Sequence, residues 1–230
     1  MKLDVTHYAV DAHGLVSRPY TLAHVSDMHN CKGGAVLDAI RAEKPDAVVI
    51  SGDQMTEMGR GSVHAMDFLR TAAGEFPTFY GLGNHERFFG EKEFSEICRT
   101  GVHLLIREFT HFGDLVIGAT ETEHPEDGET TAFLDRFSRE NGFRVLLSHR
   151  PEWYYPYLQQ YDIPLVLSGH AHGGQIRLLG HPVFSPGQGL FPKLAQGMHD
   201  GRLIVSRGIG NHTIVPRIGN RPELCMIHIS

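Results

Sequence analysis

The sequence has few of the features that mark secreted, membrane-spanning or zinc-finger proteins. Its 230 residues include three cysteines, widely spaced and without a C-x-x-C pair. That pattern argues against a disulfide framework and a structural zinc site. No window reaches the roughly 18 apolar residues of a membrane span, and the N-terminus lacks the apolar stretch of a signal peptide. These absences predict a cytoplasmic protein.

Basic charge is also scarce. The chain carries 21 Lys and Arg against 27 Asp and Glu, which gives a formal net charge of −6. A nucleic-acid polymer is therefore not an expected partner, because its phosphates are bound mainly by clusters of Lys and Arg. Histidine, in contrast, is abundant at 16 residues. Some of these histidines are ordinary surface or core residues, and others are candidates for metal binding or catalysis.

Apolar runs typical of strands alternate with segments of helical periodicity through most of the chain. Helices are predicted over 33–44, 61–74, 91–100 and 130–141, and strands over 5–10, 20–25, 47–50, 77–82, 143–148 and 164–168. Glycines at 74, 101 and 142 are expected to end helices. The segments around 104–106 and 115–117 are expected to pair as antiparallel strands. The pattern turns all-β after residue 175 and includes a Gly/Pro-rich loop over 180–200. It predicts one α/β domain, 1–230, folded as a four-layer α/β/β/α sandwich with two mixed β-sheets.

Five of the predicted strands end at a small residue that is followed by metal-binding types of side chain. These stretches are LAHVSDMH, AVVISGDQ, TFYGLGNHE, RVLLSHR and LVLSGHAH. One such residue alone is usually a turn or cap residue. Recurrence at five strand ends instead predicts a shared metal site, because ligands bind at the carboxyl ends of strands in such sheets. The candidate residues are Asp27, His29, Asp53, Asn84, His85, His149, His170 and His172.

These donors predict two metal ions. Two carboxylates, four ligand-grade imidazoles and an amide oxygen are too many for one tetrahedral ion, but they suit two ions about 3.5–4 Å apart that share a carboxylate. Nitrogen and oxygen donors without thiolate favour Mn²⁺, Fe or Zn²⁺ over Ca²⁺ or Mg²⁺. Manganese is our preferred ion.

The ordered motifs D-x-H, G-D, G-N-H-E, S-H and G-H-x-H resemble those of the calcineurin-like metallophosphoesterases. The GHAHGGQ ending, with later GLFP, SRGIGN and RPEL stretches, resembles a bacterial phosphohydrolase branch of that superfamily. The resemblance implies a metallophosphoesterase fold. It assigns one metal to Asp27, His29 and His172, and the other to Asn84, His149 and His170. Asp53 would bridge the ions, and His85 would face the substrate.

The resemblance also implies a mechanism, in which a hydroxide that bridges the metals attacks phosphorus in line. Asp53 and His85 would be the catalytic residues, with His85 protonating the leaving oxygen or stabilising its charge. We expect Glu86 to orient His85. Arg150 is a candidate phosphate contact, although an arginine before Pro151 can equally be solvated.

The expected substrate is a small-molecule phosphoester. A phosphodiester or pyrophosphate, for example in a lipid-linked nucleotide, is preferred, and a phosphomonoesterase or protein phosphatase is the alternative. A non-catalytic scaffold with the same fold is a further class. The apolar residues of loop 180–200 suit a packed loop, a substrate lid, or a membrane or lipid contact. The oligomeric state is not predicted.

Overall fold

Two six-stranded sheets form the centre of the molecule. The computed structural model describes residues 2–56, 62–120, 126–185, 187–211 and 216–230. The start of the helix predicted over 61–74 and one residue of loop 180–200 lie outside the described residues.

The first sheet is mixed. Its strands are β1 (Asp4–Val10), β2 (Tyr20–Val25), β3 (Ala47–Ser51), β4 (Thr78–Gly81), β5 (His103–Leu105) and β16 (Glu223–Ile229). They are arranged in the order β1-β16-β2-β3-β4-β5. Strands β2 to β5 are parallel to one another, and β16 runs antiparallel to β2.

The second sheet is also mixed. Its strands are β6 (Glu108–Phe112), β7 (Leu115–Ala119), β8 (Phe143–Leu147), β9 (Leu165–Ser168), β14 (Gly197–His199) and β15 (Leu203–Val205). The order is β14-β15-β9-β8-β7-β6. The four central strands are parallel, and the edge strands β6 and β14 are antiparallel to their neighbours.

Helices cover the outer face of each sheet. They are α1 (Gly34–Glu43), α2 (Val63–Glu75), α3 (Glu91–Cys98) and α4 (Gly128–Phe137). Helices α1 to α3 pack on the first sheet, and α4 packs on the second. The apolar alternation of each strand explains the layers: in β3, Val49 faces the core between the sheets, whereas Val48 and Ile50 face the helices. The predicted four-layer sandwich with two mixed sheets is confirmed.

Two local predictions are wrong. The segments around 104–106 and 115–117 do not pair, because β5 joins the first sheet and β7 pairs antiparallel with β6 in the second. Gly74 does not end α2, which continues to Glu75. Phe76 ends it with an extended backbone (φ −139°, ψ 147°), the conformation that a residue before a proline such as Pro77 prefers.

Four short strands lie in the 180–200 loop and directly before it. These are β10 (Arg177–Leu178), β11 (His181–Pro182), β12 (Phe184–Ser185) and β13 (Gly189–Leu190). They form two antiparallel pairs, β10 with β11 and β12 with β13. Within the described ranges, no helix has the length and apolarity that crossing a membrane requires.

Candidate metal centre

The predicted metal-binding side chains meet at one edge of the two sheets. Asp27, Asp53 and Asn84 follow β2, β3 and β4 of the first sheet, and His149 and His170 follow β8 and β9 of the second. Since the strands are parallel, their carboxyl ends lie together, and the packed sheets bring the two sets of side chains face to face.

Hydrogen bonds between side chains and main-chain groups join the edges of the two sheets. The carboxylate of Asp27 accepts the main-chain N–H of His170 at 3.1 Å from each oxygen. His149 Nδ1 lies 2.7 Å from the carbonyl oxygen of Ser51 and donates its hydrogen to it. That bond keeps a hydrogen on Nδ1 and turns Nε2 toward Asp53 and Asn84, so Nε2 is the atom that a cation would meet in place of a proton.

Five of the candidate residues have a left-handed backbone. They are Asp27 (φ 52°), His29 (φ 46°), Asp53 (φ 53°), His170 (φ 63°) and His172 (φ 47°). This conformation costs free energy for residues other than glycine and tends to occur where the surroundings enforce it, often at functional sites. The turns after β2, β3 and β9 therefore have strained backbones, and these fix the directions of the side chains.

The first group of candidate ligands contains Asp27, His29 and His172, all buried. His29 Nε2 lies 3.2 Å from His172 Nε2, and the two rings stack at 5.0 Å. Asp27 Oδ1 is 3.5 Å from His172 Nε2 and 4.0 Å from His29 Nε2. Burial lowers the pKa of His172, so its imidazole is available as a neutral donor.

The second group contains Asp53, His149 and His170, again all buried. His149 Nε2 lies 3.2 Å from Asp53 Oδ2 and 3.1 Å from Asn84 Oδ1, so Asn84 joins this group. Among the described residues His170 Nε2 has no hydrogen-bond partner although it is buried, and it lies 3.6 Å from a carboxylate oxygen of Glu152. Burial, together with the nearby His149 and Arg150, holds the pKa of His170 well below its usual value.

Asp53 lies between the two groups. Its Oδ2 is 3.2 Å from His149 Nε2 and 3.8 Å from His29 Nε2, while its Oδ1 accepts the main-chain N–H of His85 at 2.9 Å. Burial alone would raise the pKa of Asp53, but His149, His29 and His85 hold it well below its usual value. One carboxylate oxygen is thus fixed by the backbone, and the other faces imidazoles from both sheets.

The pKa of His149 indicates that the carboxylates of this cluster need a positive charge beside them. Burial alone would lower its pKa, but the carboxylates of Asp53 and Asp27 and the carbonyl of Ser51 raise it to about 10. A buried carboxylate is stable only when a proton or a cation compensates it. A divalent ion is one source of that compensation.

His85 lies at the rim of the cluster. Its Nε2 is 3.8 Å from Asp53 Oδ2, and its ring meets that of His29 edge to face at 4.8 Å. The side chain of His85 is 10% exposed, similar to His170 at 9% and above His29 at 1% and His149 at 0%. It is therefore placed for contact with a molecule that approaches from solvent.

Glu86 has a different role from the one expected, because its carboxylate accepts four hydrogen bonds from groups other than His85. The Glu86 carboxylate is fully buried and accepts the main-chain N–H groups of Asp53 (2.9 Å), Met55 (3.1 Å) and Gly83 (2.7 Å) and the hydroxyl of Tyr80 (2.8 Å). It joins the turn after β3 to the turn after β4. Burial and the charge of Asp53 raise the pKa of Glu86 to about 7.

The small residues of these turns allow close approach. A Cβ built on Gly83 would stand 2.1 Å from Asp53 Oδ1. Gly174 has φ +74°, and a Cβ there would stand 2.2 Å from Cβ of Pro182. Only glycine fits at these positions, which explains the glycine next to the histidines of GHAHGGQ.

Arg150 lies beside Glu152, a neighbour of the cluster. Its guanidinium is 3.5 Å from the Glu152 carboxylate and 5.7 Å from the ring centre of Trp153. Glu152 in turn lies beside His170. Contact of Arg150 with a substrate stays a prediction. The strand-end pattern does not identify Glu152, although Glu152 comes only two residues after Arg150 in the chain.

Arg217 is a supporting residue that the sequence pattern did not reveal. The buried guanidinium donates to the carbonyl oxygens of Gly208 (3.1 Å), Gly210 (2.7 Å) and Arg207. Gly210 N donates to the carbonyl of Asp27 at 2.7 Å. Burial lowers the pKa of Arg217 to about 10. The segment from 207 to 210 is thereby held against the turn that carries Asp27.

The donor set fits a pair of divalent ions. Two donors bound to one ion at about 2.1 Å lie roughly 3.0–3.4 Å apart when the bonds meet at about 90–110°. The 3.2 Å between His29 Nε2 and His172 Nε2 and the 3.1 Å between His149 Nε2 and Asn84 Oδ1 lie in that range. None of the metal-binding groups found among the described residues includes a cysteine, so the donors are nitrogen and oxygen.

The sequence is similar to those of known phosphoesterases. Residues 20–174 match the family model described as calcineurin-like phosphoesterase. An uncharacterized metallophosphoesterase, Cj0846, of Campylobacter jejuni is 29% identical over 147 residues, which cover 61% of this chain and 39% of that protein. One from Aquifex aeolicus is 27% identical over 81% of this chain and 74% of its own length. Phosphodiesterase YaeI of Escherichia coli is 26% identical over 92% of this chain and 82% of its own length.

Proposed function

The chain belongs to the calcineurin-like phosphoesterase family, and from that premise we propose that it is a hydrolase that uses two divalent ions to cleave a phosphodiester or pyrophosphate bond. The observation that carries this proposal is the position of Asp53, whose Oδ2 lies 3.8 Å from His29 Nε2 and 3.2 Å from His149 Nε2. A carboxylate between two groups of donors is the arrangement that a two-ion site needs.

The residues divide into two sets around Asp53. Asp27, His29 and His172 would hold one ion, and the residues that would hold the other are Asn84, His149 and His170. Bound divalent ions would supply a nucleophile at neutral pH and would neutralise the nonbridging phosphoryl oxygens. We propose Mn²⁺ as the ion, with Fe or Zn²⁺ as alternatives, because the donors are nitrogen and oxygen.

The chain's own groups would position the substrate and manage its protons. His85 and His170 are the most exposed imidazoles of the cluster. Since His170 is assigned to an ion, we assign His85 to the leaving oxygen, to which it would donate a proton or a hydrogen bond. Its main-chain N–H, bonded to Asp53 Oδ1, couples the position of His85 to that of the shared carboxylate. Arg150 is proposed as a second contact for phosphate charge.

A diester is preferred to a monoester. The relative from Escherichia coli that matches most of this chain is named a phosphodiesterase. A monoester carries an additional negative charge, and a site that takes it usually supplies further cationic side chains. Arg150 is the candidate of that kind next to the cluster, and its guanidinium lies beside the Glu152 carboxylate.

A panel of substrates tests the proposal. With added Mn²⁺, the wild-type chain should hydrolyse bis-p-nitrophenyl phosphate faster than p-nitrophenyl phosphate. Asp53→Ala should abolish activity and reduce bound metal. His85→Ala should lower kcat by about 10²–10⁴ while both metals stay bound, and Leu15→Asp at the opposite edge of the fold is the control for a surface change. An Asp53→Ala variant with wild-type activity would refute the proposal, and faster hydrolysis of the monoester would reverse the substrate assignment.

A further inference from the structure

An exposed apolar surface lies beside the candidate metal centre. We call it the apolar rim, and its residues are Leu178, Leu179, Phe184, Leu190, Phe191 and Ile218. Leu179 is 93% exposed and Phe191 is 75% exposed. Scattered apolar residues are normal on protein surfaces, but a group of large ones within connected segments marks an interaction site.

Backbone hydrogen bonds connect the segments of the apolar rim. Ile176 forms an isolated bridge with Ile218. The N–H of Val183 donates to Ile176 (2.9 Å), and the N–H of Phe191 donates to Val183 (2.8 Å). Phe184 lies opposite Leu190 in the β12–β13 pair. The exposed side chains therefore belong to one folded segment.

The same segment is fixed to the turn that carries His170 and His172. Ser185 Oγ donates to the carbonyl oxygen of Ala171 at 3.1 Å, and a Cβ on Gly187 would stand 3.2 Å from His170 Nε2. A surface that binds at the apolar rim would come to lie next to the metal centre.

The segment that carries most of the apolar rim differs in charge from the whole chain, although Glu152 lies against it at Gly187. Residues 163–199 contain no Asp or Glu, although the protein has 27 of them and a net charge of −6. The segment does contain Arg177 and Lys193. Exposed apolar side chains within an acid-free, cationic segment are complementary to an anionic surface with an apolar interior. A second copy of this chain would instead place like charges opposite each other.

We propose that the apolar rim docks the protein on an anionic phospholipid bilayer. Leu179 and Phe191 would enter the boundary between headgroups and acyl chains, and Lys193 would meet the anionic headgroups. Docking would bring the metal centre next to lipid phosphodiesters. That consequence for the substrate rests on the proposed function, whereas docking itself does not.

Sedimentation with vesicles tests the docking without reference to catalysis. The full chain is mixed, in EDTA, with phosphatidylcholine vesicles that either contain or lack phosphatidylglycerol. We expect binding to the anionic vesicles. Leu179→Asp and Phe191→Asp should each lower the partition coefficient at least about tenfold. Both positions have left-handed backbones (φ 48° and 54°), which Asp tolerates better than Leu or Phe, so these variants should fold.

Two further variants separate the contributions. Lys193→Gln should weaken binding to anionic vesicles by about fivefold and leave any binding to neutral vesicles unchanged. Leu15→Asp is the matched control, since Leu15 is 43% exposed and lies before β2, at the edge opposite the metal centre. It should bind vesicles as the wild type does.

The proposal is overturned if wild-type protein does not sediment with anionic vesicles, or if Leu15→Asp loses as much binding as Leu179→Asp. Size-exclusion chromatography adds an independent check. If the wild type is a dimer that Leu179→Asp dissociates, the occupant of the apolar rim is a second copy and the bilayer is excluded. Because EDTA removes divalent ions from the assay, absence of docking and absence of hydrolysis are distinguishable results.

Discussion

Replacing Glu86 with Gln should destabilise the protein by an amount that its four hydrogen bonds determine. Oε2 accepts the N–H groups of Asp53 and Gly83, and Oε1 accepts the N–H of Met55 and the hydroxyl of Tyr80. The amide group of Gln turns one acceptor into a donor. The less costly orientation places it toward Tyr80, whose hydroxyl can rotate, and leaves the N–H of Met55 without an acceptor.

The expected cost follows from those contacts. A buried unpaired donor costs about 1–3 kcal/mol. The raised pKa of Glu86 means that folding disfavours its charge, so loss of the charge adds nothing to this cost. We therefore expect Glu86→Gln to lower the unfolding free energy by about 1–3 kcal/mol when Glu86 is neutral, which in a chain of this length corresponds to a decrease in Tm of about 2–12 °C.

Thermal unfolding followed by circular dichroism measures the effect. The buffer should be at pH 5, below the pKa of about 7 to which burial and Asp53 raise Glu86, so that Glu86 is neutral in the folded protein as Gln is. It should contain EDTA so that metal binding adds nothing to Tm. Tyr80→Phe is the control, because it removes only the hydroxyl contact and should cost about 1 kcal/mol. A Glu86→Gln protein that melts no lower than Tyr80→Phe would refute the role assigned to Glu86.

The remaining predictions concern close approach and capping. Gly83→Ala should lower metal content and Tm together, because its Cβ would stand 2.1 Å from Asp53 Oδ1; full metal content by mass spectrometry would contradict this. Gly74→Ala, where a Cβ meets nothing within 4 Å inside α2, should stabilise the protein by about 0.5–1 kcal/mol, and a lower Tm would count against it. Asp127→Ala removes the side chain that caps α4 by accepting Thr130 N at 2.6 Å, at a cost of about 1 kcal/mol. An unchanged urea midpoint would show that this cap adds nothing.

Much of the site could be predicted because the end of a strand is visible in the local sequence, and strand ends of a parallel sheet lie close together in the fold. Asp27 and Asp53 each follow an apolar run, and parallel pairing brings such ends to one edge. The structure places the carboxylate of Asp53 near His149 and His170 of the second sheet, and that of Asp27 near His172. Their roles as metal ligands stay predictions, as do the single domain over 1–230 and the contact of Arg150 with substrate.

The features that escaped prediction depend on partners distant in the chain. Periodicity identifies a strand but not its neighbour. The sequence therefore predicts a pairing between the segments that form β5 and β7, although these strands belong to different sheets. Glu86 follows His85 in the chain, but its hydrogen bonds reach back to the turn after β3. Arg217 lies more than 180 residues from Asp27 and acts through backbone carbonyls, which no side-chain pattern records.

Anomalous diffraction from crystals grown with Mn²⁺ tests the central claim most directly. The account predicts two manganese peaks per chain, one contacted by His29 and His172 and the other by His149 and His170, with the carboxylate of Asp53 between them. A single peak, or two peaks with Asp53 turned away from both, would contradict it.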